Sequence, residues 1–175
     1  MKSKFFIYLV PFVALAGCDK IKDATAITVN TELQSNIQVT VTSPAKSADG
    51  AKSLSFSKTQ DLSLADNADL ESYLEKINEI DLSNLVITIT GLTTGQSISS
   101  ISLAVAGVGT AFTQTNITMA NNSFTPSVSS TFLGQMASKL TADKKLTFTI
   151  SGSASEEMTF VVSCNMDAKV KVNTI

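Results

Sequence analysis

The last strand-like stretch of the chain constrains the fold most, because one hydrophobic parity persists through it without a break. Every even-numbered position from Met158 to Val172 carries an apolar or small residue, and most odd-numbered positions between them are polar. A period of two places alternate side chains on opposite faces of a β-strand. The pattern predicts one long strand, or two strands joined by a bend, with the even-numbered face buried.

Similar alternation recurs earlier in the chain. Residues 27–41 alternate throughout, and because this is long for one strand, we expect two strands with a turn or bulge near Gln34-Ser35-Asn36. Further strands are predicted at 54–56, 85–90, 98–105, 112–119 and 146–150, the last of which ends at Gly152. Loops are predicted at 42–53 and 121–127, where Pro, Asn, Asp-Gly and small polar residues cluster.

Two segments have the period of a helix instead. A helix is predicted near 68–79, because one helical face carries Leu70, Tyr73, Leu74, Ile77 and Ile80. A second helix is predicted near 129–140, where Phe132, Met136 and Leu140 lie four apart. Eight or nine short strands with two short helices predict a mainly β protein, an antiparallel β-sandwich of Ig-like or related type. A curved sheet wrapped on the helices is the alternative architecture.

The composition excludes several classes of function. The 13 basic residues are all Lys, and there is no His and no Trp. Without Arg the chain lacks the bidentate fork for phosphate, and without His it lacks the usual general base and the commonest transition-metal ligand. Since 15 acidic residues outnumber the basic ones, nucleic acid is not expected as a partner. We expect no catalytic residue, no metal ligand and no cofactor.

The first residues have the features of a secretory signal. Lys2 and Lys4 precede an apolar run from Phe5 to Gly17, which as a helix would reach about 20 Å against a hydrocarbon core of about 30 Å. The run ends in Leu15-Ala16-Gly17-Cys18, an aliphatic residue and two small residues before a cysteine. This box resembles the lipobox of bacterial lipoproteins. The resemblance implies cleavage before Cys18, acylation of Cys18 with fatty chains such as palmitate, and stable anchoring to a membrane.

The resemblance divides the chain into residues 1–17 as signal peptide, 18–25 as lipidated cysteine and short tether, and 26–175 as a single β-sandwich domain. It implies a cell-envelope protein, similar to small lipoproteins of Bacteroidota and other Gram-negative bacteria. Asp19 holds lipoproteins at the inner membrane in enteric bacteria but not in other lineages. Asp19 alone therefore does not decide between the inner and the outer membrane. We expect the outer membrane, with a periplasmic or surface-exposed domain.

Other residues with chemical potential have simpler interpretations. Cys164 shares the parity of Val162 and Met166, so we expect a buried, inert thiol. The acidic group Asp61, Asp66, Asn67, Asp69 and Glu71 has oxygen ligands of the kind calcium prefers, but the start of a capped helix explains it better.

Four further patterns are interpreted as turns, loops or ordinary strand surface. Glu156 and Glu157 are expected to form a solvated turn rather than a catalytic pair. The residues 106–110, AGVGT, lack the Lys of a phosphate loop and are expected to form a turn. The recurring Thr-x-Thr pairs are expected to be the outward residues of strands. The sequons at Asn116 and Asn121 are expected to be polar loop residues.

The expected role is a non-enzymatic binding or structural module that recognises a protein or glycan through loops or a sheet edge. The alternative is a carrier or sensor of a lipid or other apolar ligand held between sheet and helices. An enzyme ranks third, because no converging carboxylates or Ser-Lys pair can be identified.

Overall fold

The computed structural model describes residues 26–43 and 53–174. These residues form two antiparallel sheets that pack face to face, which confirms the predicted mainly β sandwich. The strands of the described ranges are β1 (Ala26–Val41), β2 (Leu54–Ser63), β3 (Ile77–Thr90), β4 (Ser97–Val105), β5 (Gly109–Thr118), β6 (Ser123–Phe124), β7 (Lys145–Ala154) and β8 (Met158–Asn173). The α-helix α1 spans Ser130–Asp143, and 3₁₀ helices span Leu64–Asp66, Glu71–Lys76 and Met119–Asn121.

Each sheet has four strands. The first sheet has the order β1-β8-β3-β6, and the second has the order β2-β7-β4-β5. The long strand β8 lies between β1 and β3 and pairs antiparallel with both. The chain changes sheet repeatedly, because β1 and β2 belong to different sheets, as do β3 and β4. The apolar faces of both sheets and of α1 meet in one hydrophobic core.

The alternation in β8 is the clearest match between sequence and structure. All even-numbered residues from Met158 to Val172 are buried, and the strand runs unbroken to Asn173. Phe160 from this face meets Phe56 of the second sheet edge to face, with ring centroids 5.3 Å apart. The buried face of one strand thus organises the core between the sheets.

The predicted break near Gln34-Ser35-Asn36 is wrong. These residues pair in continuous register with Asn165, Cys164 and Ser163, and β1 is one strand of 16 residues. The neighbouring β8 has the same length and offers a partner to each residue of β1, so a turn would cost ladder hydrogen bonds without any gain. The polar side chain of Asn36 points outward and accepts a hydrogen bond of 2.7 Å from Ser163 Oγ.

The predicted helix over 68–79 is also wrong in extent and type. Residues Glu71–Lys76 form a 3₁₀ helix, and β3 begins at Ile77. Ile77 and Ile80, expected on the helix face, pair instead with Val172 and Val170 of β8 across a bulge at Asn78. Pairing with β8 satisfies their backbone groups and still buries both side chains, so tertiary contact prevails over the local period.

The second predicted helix is confirmed as α1. Ser129 caps it, with its Oγ accepting the Phe132 N–H at 3.2 Å. The chain leaves the helix through Lys144 in the left-handed conformation, with φ of 58°. Met136 and Leu140 are buried, and the helix packs along β3 and against β7.

Strand β2 continues past the predicted 54–56 to Ser63. Two further differences occur at predicted breaks between strands. Strand β7 does not end at Gly152 but continues to Ala154, and Gly152 pairs with both Phe56 and Ile101. Within the predicted loop 121–127, the short strand β6 pairs with β3 through Phe124 and Ile87. Both were missed because glycine and Asn-rich stretches mark turns on average, while here neighbouring strands hold them extended.

Candidate binding surface

The sandwich has two distinct ends. At the N-terminal end, β1 begins opposite the last residues of β8, with Ala26 paired to Asn173. Leu64 and Lys144 also meet at this end, where the Leu64 N–H donates to the Lys144 carbonyl at 2.9 Å. At the far end, the Ser155 N–H donates to the Ser97 carbonyl at 3.0 Å.

Charge is segregated between these ends. In the described part of the chain, the charged residues outside the half nearer the N-terminal end are Lys58, Glu156 and Glu157. No charged residue occurs anywhere from residue 82 to residue 138. This run supplies β4, β5, β6, the far-end segments 91–96 and 119–122, and most of α1. The exposed side chains of residues 82–138 are called the neutral surface below.

Hydroxyl groups in register cover the outer face of the second sheet beside this surface. Ser57, Ser151, Ser102 and Thr113 form one row across all four strands. Thr113 Oγ1 donates to Ser102 Oγ at 3.3 Å, and Ser102 Oγ donates to the Phe112 carbonyl at 3.1 Å. These hydroxyls are therefore partly satisfied within the sheet and present a flat, uncharged face.

A shallow groove lies on the neutral surface at the far end. Its walls are the β3–β4 loop, from Thr93 to Ser97, and the segment from Thr118 to Ala120, which together enclose about 360 Å³. Met119 projects at this site with 57% of its surface exposed. Because nothing charged lines the groove, a partner would lose little hydration energy on covering it.

Another open groove lies between α1 and the β4–β5 turn, with a volume of about 530 Å³. Gly107 and Val108 form one wall, and Gln135 and Lys139 lie on the other. Gly107 and Gly109 have positive φ, so the expected turn at residues 106–110 is confirmed and glycine is needed there for backbone geometry. Neither groove reaches the apolar interior between the sheets.

Cys164 lies where its parity predicted. It is fully buried, and burial raises the pKa of its thiol to about 12. Its strand neighbours are Ser35 on β1 and Ile87 on β3. A thiol that stays protonated and inaccessible is neither a nucleophile nor a metal ligand at neutral pH.

The acidic group does not converge on one point. Asp61 accepts a hydrogen bond from Thr147 and lies 3.5 Å from Lys145 Nζ, and both groups lower the pKa of its carboxyl. Asn67 and Asp69 instead bind Thr31 on β1, through Asn67 Nδ2 at 3.2 Å and Asp69 Oδ2 at 2.8 Å. Within residues 26–43 and 53–174, no three His, Cys, Asp or Glu side chains assemble as metal ligands.

The remaining candidates are structural. Residues Ser155–Glu157 form an exposed bend, as expected for the glutamate pair, and Glu157 accepts the Ser43 N–H at 2.8 Å, which lowers its pKa. Thr40 lies on the outward face of its strand and receives a hydrogen bond from Thr159. Asn116 lies within β5 rather than in the expected loop, and its carbonyl accepts a hydrogen bond from Asn121 Nδ2 at 3.0 Å.

The lipobox, Cys18 and the tether lie outside the described residues. None of the helices within the described ranges has the length and apolar character needed to cross a bilayer. The sequence analysis did not predict the neutral surface, although the absence of charged residues from 82 to 138 could have indicated it. No family model, curated protein or solved structure matches this chain.

Proposed function

We propose that this chain is a lipid-anchored protein of the cell envelope with a non-enzymatic binding or structural role. The box Leu15-Ala16-Gly17-Cys18 and the basic and apolar residues before it carry the proposal. The lipid on Cys18 holds the protein at a membrane, for which we propose the outer rather than the inner membrane. The β-sandwich then presents its surface to a protein or glycan.

The position of β1 indicates which end of the sandwich would face the membrane. Since β1 begins at Ala26, residues 18–25 fix the distance between the lipid and the sandwich, which is at most about 28 Å for an extended chain. The N-terminal end would therefore face the membrane. The 16 residues of β8 span about 50 Å, so the groove beside Met119 would be held well away from the lipid surface.

The experiment for the anchor is metabolic labelling of the full chain with an alkyne palmitate analogue, followed by fractionation. The wild-type protein should take up label and stay with membranes, and Cys18→Ala should lose both properties. Label retained in Cys18→Ala, or wild-type protein without label, would refute the anchor.

The binding role is tested by photo-crosslinking in the envelope. A photoreactive residue at Met119 on the neutral surface should give a discrete crosslinked product. The same residue at the exposed Glu75, near the N-terminal end, serves as the matched control. Equal products from both positions would show random collision and contradict a binding role for the neutral surface.

The carrier alternative has less support from the packing. A ligand between the sheets needs unfilled space, but the inward side chains of both sheets pack against one another in a continuous core. Native mass spectrometry of the protein, without detergent, checks this directly. A defined added mass that disappears on denaturation would favour the carrier.

A further inference from the structure

Strand β5 forms an open edge of the second sheet. It pairs with β4 along one side, and no other strand in the described part of the chain lies along its outer side. On the opposite side of the sandwich, the edge strands β1 and β2 lie against each other. The helix α1 packs along β3 and lines a groove with the β4–β5 turn. An open antiparallel edge directs the N–H and C=O groups of alternate residues outward, where another strand can pair with them.

The usual protection of an edge by charge or proline is missing from β5. Its ten residues, GTAFTQTNIT, contain no charged residue and no proline. A bulge at Ala111 and the left-handed backbone of Asn116, with φ of 56°, limit the regular part to Phe112–Thr115. A new strand would therefore meet a short and neutral edge, regular over four residues.

We propose that β5 pairs antiparallel with β5 of a second copy of this chain about a two-fold axis. The two second sheets would then form one continuous sheet across the interface. Pairing of a strand with itself about a two-fold axis brings the residues nearest the axis close to their own copies, so a charge there would meet a like charge, which is destabilising. A strand without charge avoids this cost and offers no charge by which a different, charged strand would be selected.

The two faces of β5 fix the register. Thr113 is on the outer face, where it bonds Ser102, and Phe112 is on the inner face, with its ring centroid 5.6 Å from that of Phe124. Residues opposite each other in a pair of strands must share a face, so the two-fold axis passes through a residue position. An axis at Thr113 leaves the irregular Asn116 outside the pairing.

In this register Thr113 lies opposite Thr113 of the partner subunit. Paired threonines across strands are favourable neighbours, and the hydroxyl row of the outer face continues into the second copy. The charged half of the sandwich lies away from this contact, so that salt screens the repulsion between two acidic chains. The pairing goes beyond the proposed anchoring role and does not depend on it.

The test is disulfide trapping in the full chain, expressed in a bacterial envelope and treated with a mild oxidant. Thr113→Cys should give a covalent dimer of the chain on a non-reducing gel. Thr115→Cys is the matched control, because it lies on the same strand and face. In the proposed register the two copies of residue 115 are four residues apart along the strands, about 13 Å, which is too far for a disulfide. Wild-type protein gives the baseline for the two native cysteines, the buried Cys164 and Cys18, and only dimer above that baseline counts.

A dimer from Thr113→Cys in clear excess over Thr115→Cys supports the pairing. In sedimentation the unmodified chain should behave as a dimer and Thr113→Lys as a monomer. Equal trapping at both positions, no trapping at 113 when the thiol is shown to be free, or a product with a different protein would overturn it. Lipid labelling at Cys18 is read separately, so the anchor and the pairing can fail independently.

Discussion

Gly152 offers the sharpest check of the core packing. It lies inside β7, with Phe56 on one neighbouring strand and Ile101 on the other. A bulge at Ser99 brings the Ser100 backbone over this position. A Cβ atom added to Gly152 would overlap the Ser100 carbonyl oxygen and lie 2.8 Å from Phe56 Cζ. Replacement by alanine therefore forces either the backbone of β4 or a core aromatic ring to move.

The cost of Gly152→Ala follows from these contacts. Overpacking of a core costs about 1–3 kcal/mol, and the upper end applies because one colliding atom is backbone and Phe56 is held against Phe160. The smaller unfolded-state entropy of alanine returns less than about 1 kcal/mol. We expect a net loss of about 2–3 kcal/mol in the free energy of unfolding. For a domain of this size the melting temperature should then fall by about 4–12 °C.

Gly134→Ala is the matched control. Gly134 lies in α1, and a Cβ added there meets nothing within 4 Å. Alanine is favoured over glycine in a helix by about 1 kcal/mol, so this variant should be more stable than the wild type. Both are measured by urea denaturation followed by far-UV circular dichroism. A Gly152→Ala protein as stable as the wild type would refute the close approach of β4 to β7.

Three further outcomes are expected. Ser35→Ala should raise the unfolding free energy by about 1 kcal/mol in the same urea assay, because the Ser35 hydroxyl is buried, with 5% exposure, and has no hydrogen-bond partner; a loss of stability would show that the hydroxyl is needed. Native Cys164 should resist iodoacetamide at pH 8 and react after unfolding, as followed by mass spectrometry, since burial raises its pKa to about 12; rapid native labelling would contradict this burial. The pKa of Glu157 is lowered by its bond to Ser43, so its stabilising effect is present above its unfolded pKa and lost as the pH falls through the folded pKa. Glu157→Gln should therefore flatten the decline of stability below about pH 4.5, and an unchanged pH profile would count against the bond.

Hydrophobic periodicity predicted the strands well where one face is buried and the other is exposed to solvent. The alternation of β8 identified its buried residues correctly, and that of β1 did so from Leu33 to Val41 except at Ser35, while Ile27 at the start of β1 is exposed. The spacing of Phe132, Met136 and Leu140 located α1. These successes share one cause, because a period of two or of 3.6 is set by the backbone itself and is visible without knowledge of the partner.

The errors occur where a neighbouring strand overrides the local pattern. Ile77 and Ile80 have helical spacing after Leu70, but their backbone pairs with β8, and they belong to strand β3. Gln34-Ser35-Asn36 has turn composition, but it lies beside a straight partner of equal length. A glycine after an apolar run usually marks the end of a strand. Gly152 instead lies where β4 approaches β7 too closely for a side chain.

The candidate binding surface was likewise only partly predictable from the sequence. The sequence alone determined that the chain is mainly β, which residues face the core, and that residues 82–138 have no charge. Only the tertiary structure decided that this run gathers on one side of the sandwich, that most of the charge in the described residues lies in the half where β1 begins, and that β5 is left at an open edge. The physical reason is that alternation records whether a side chain is buried, whereas the choice of strand partner depends on contacts between residues far apart in the chain.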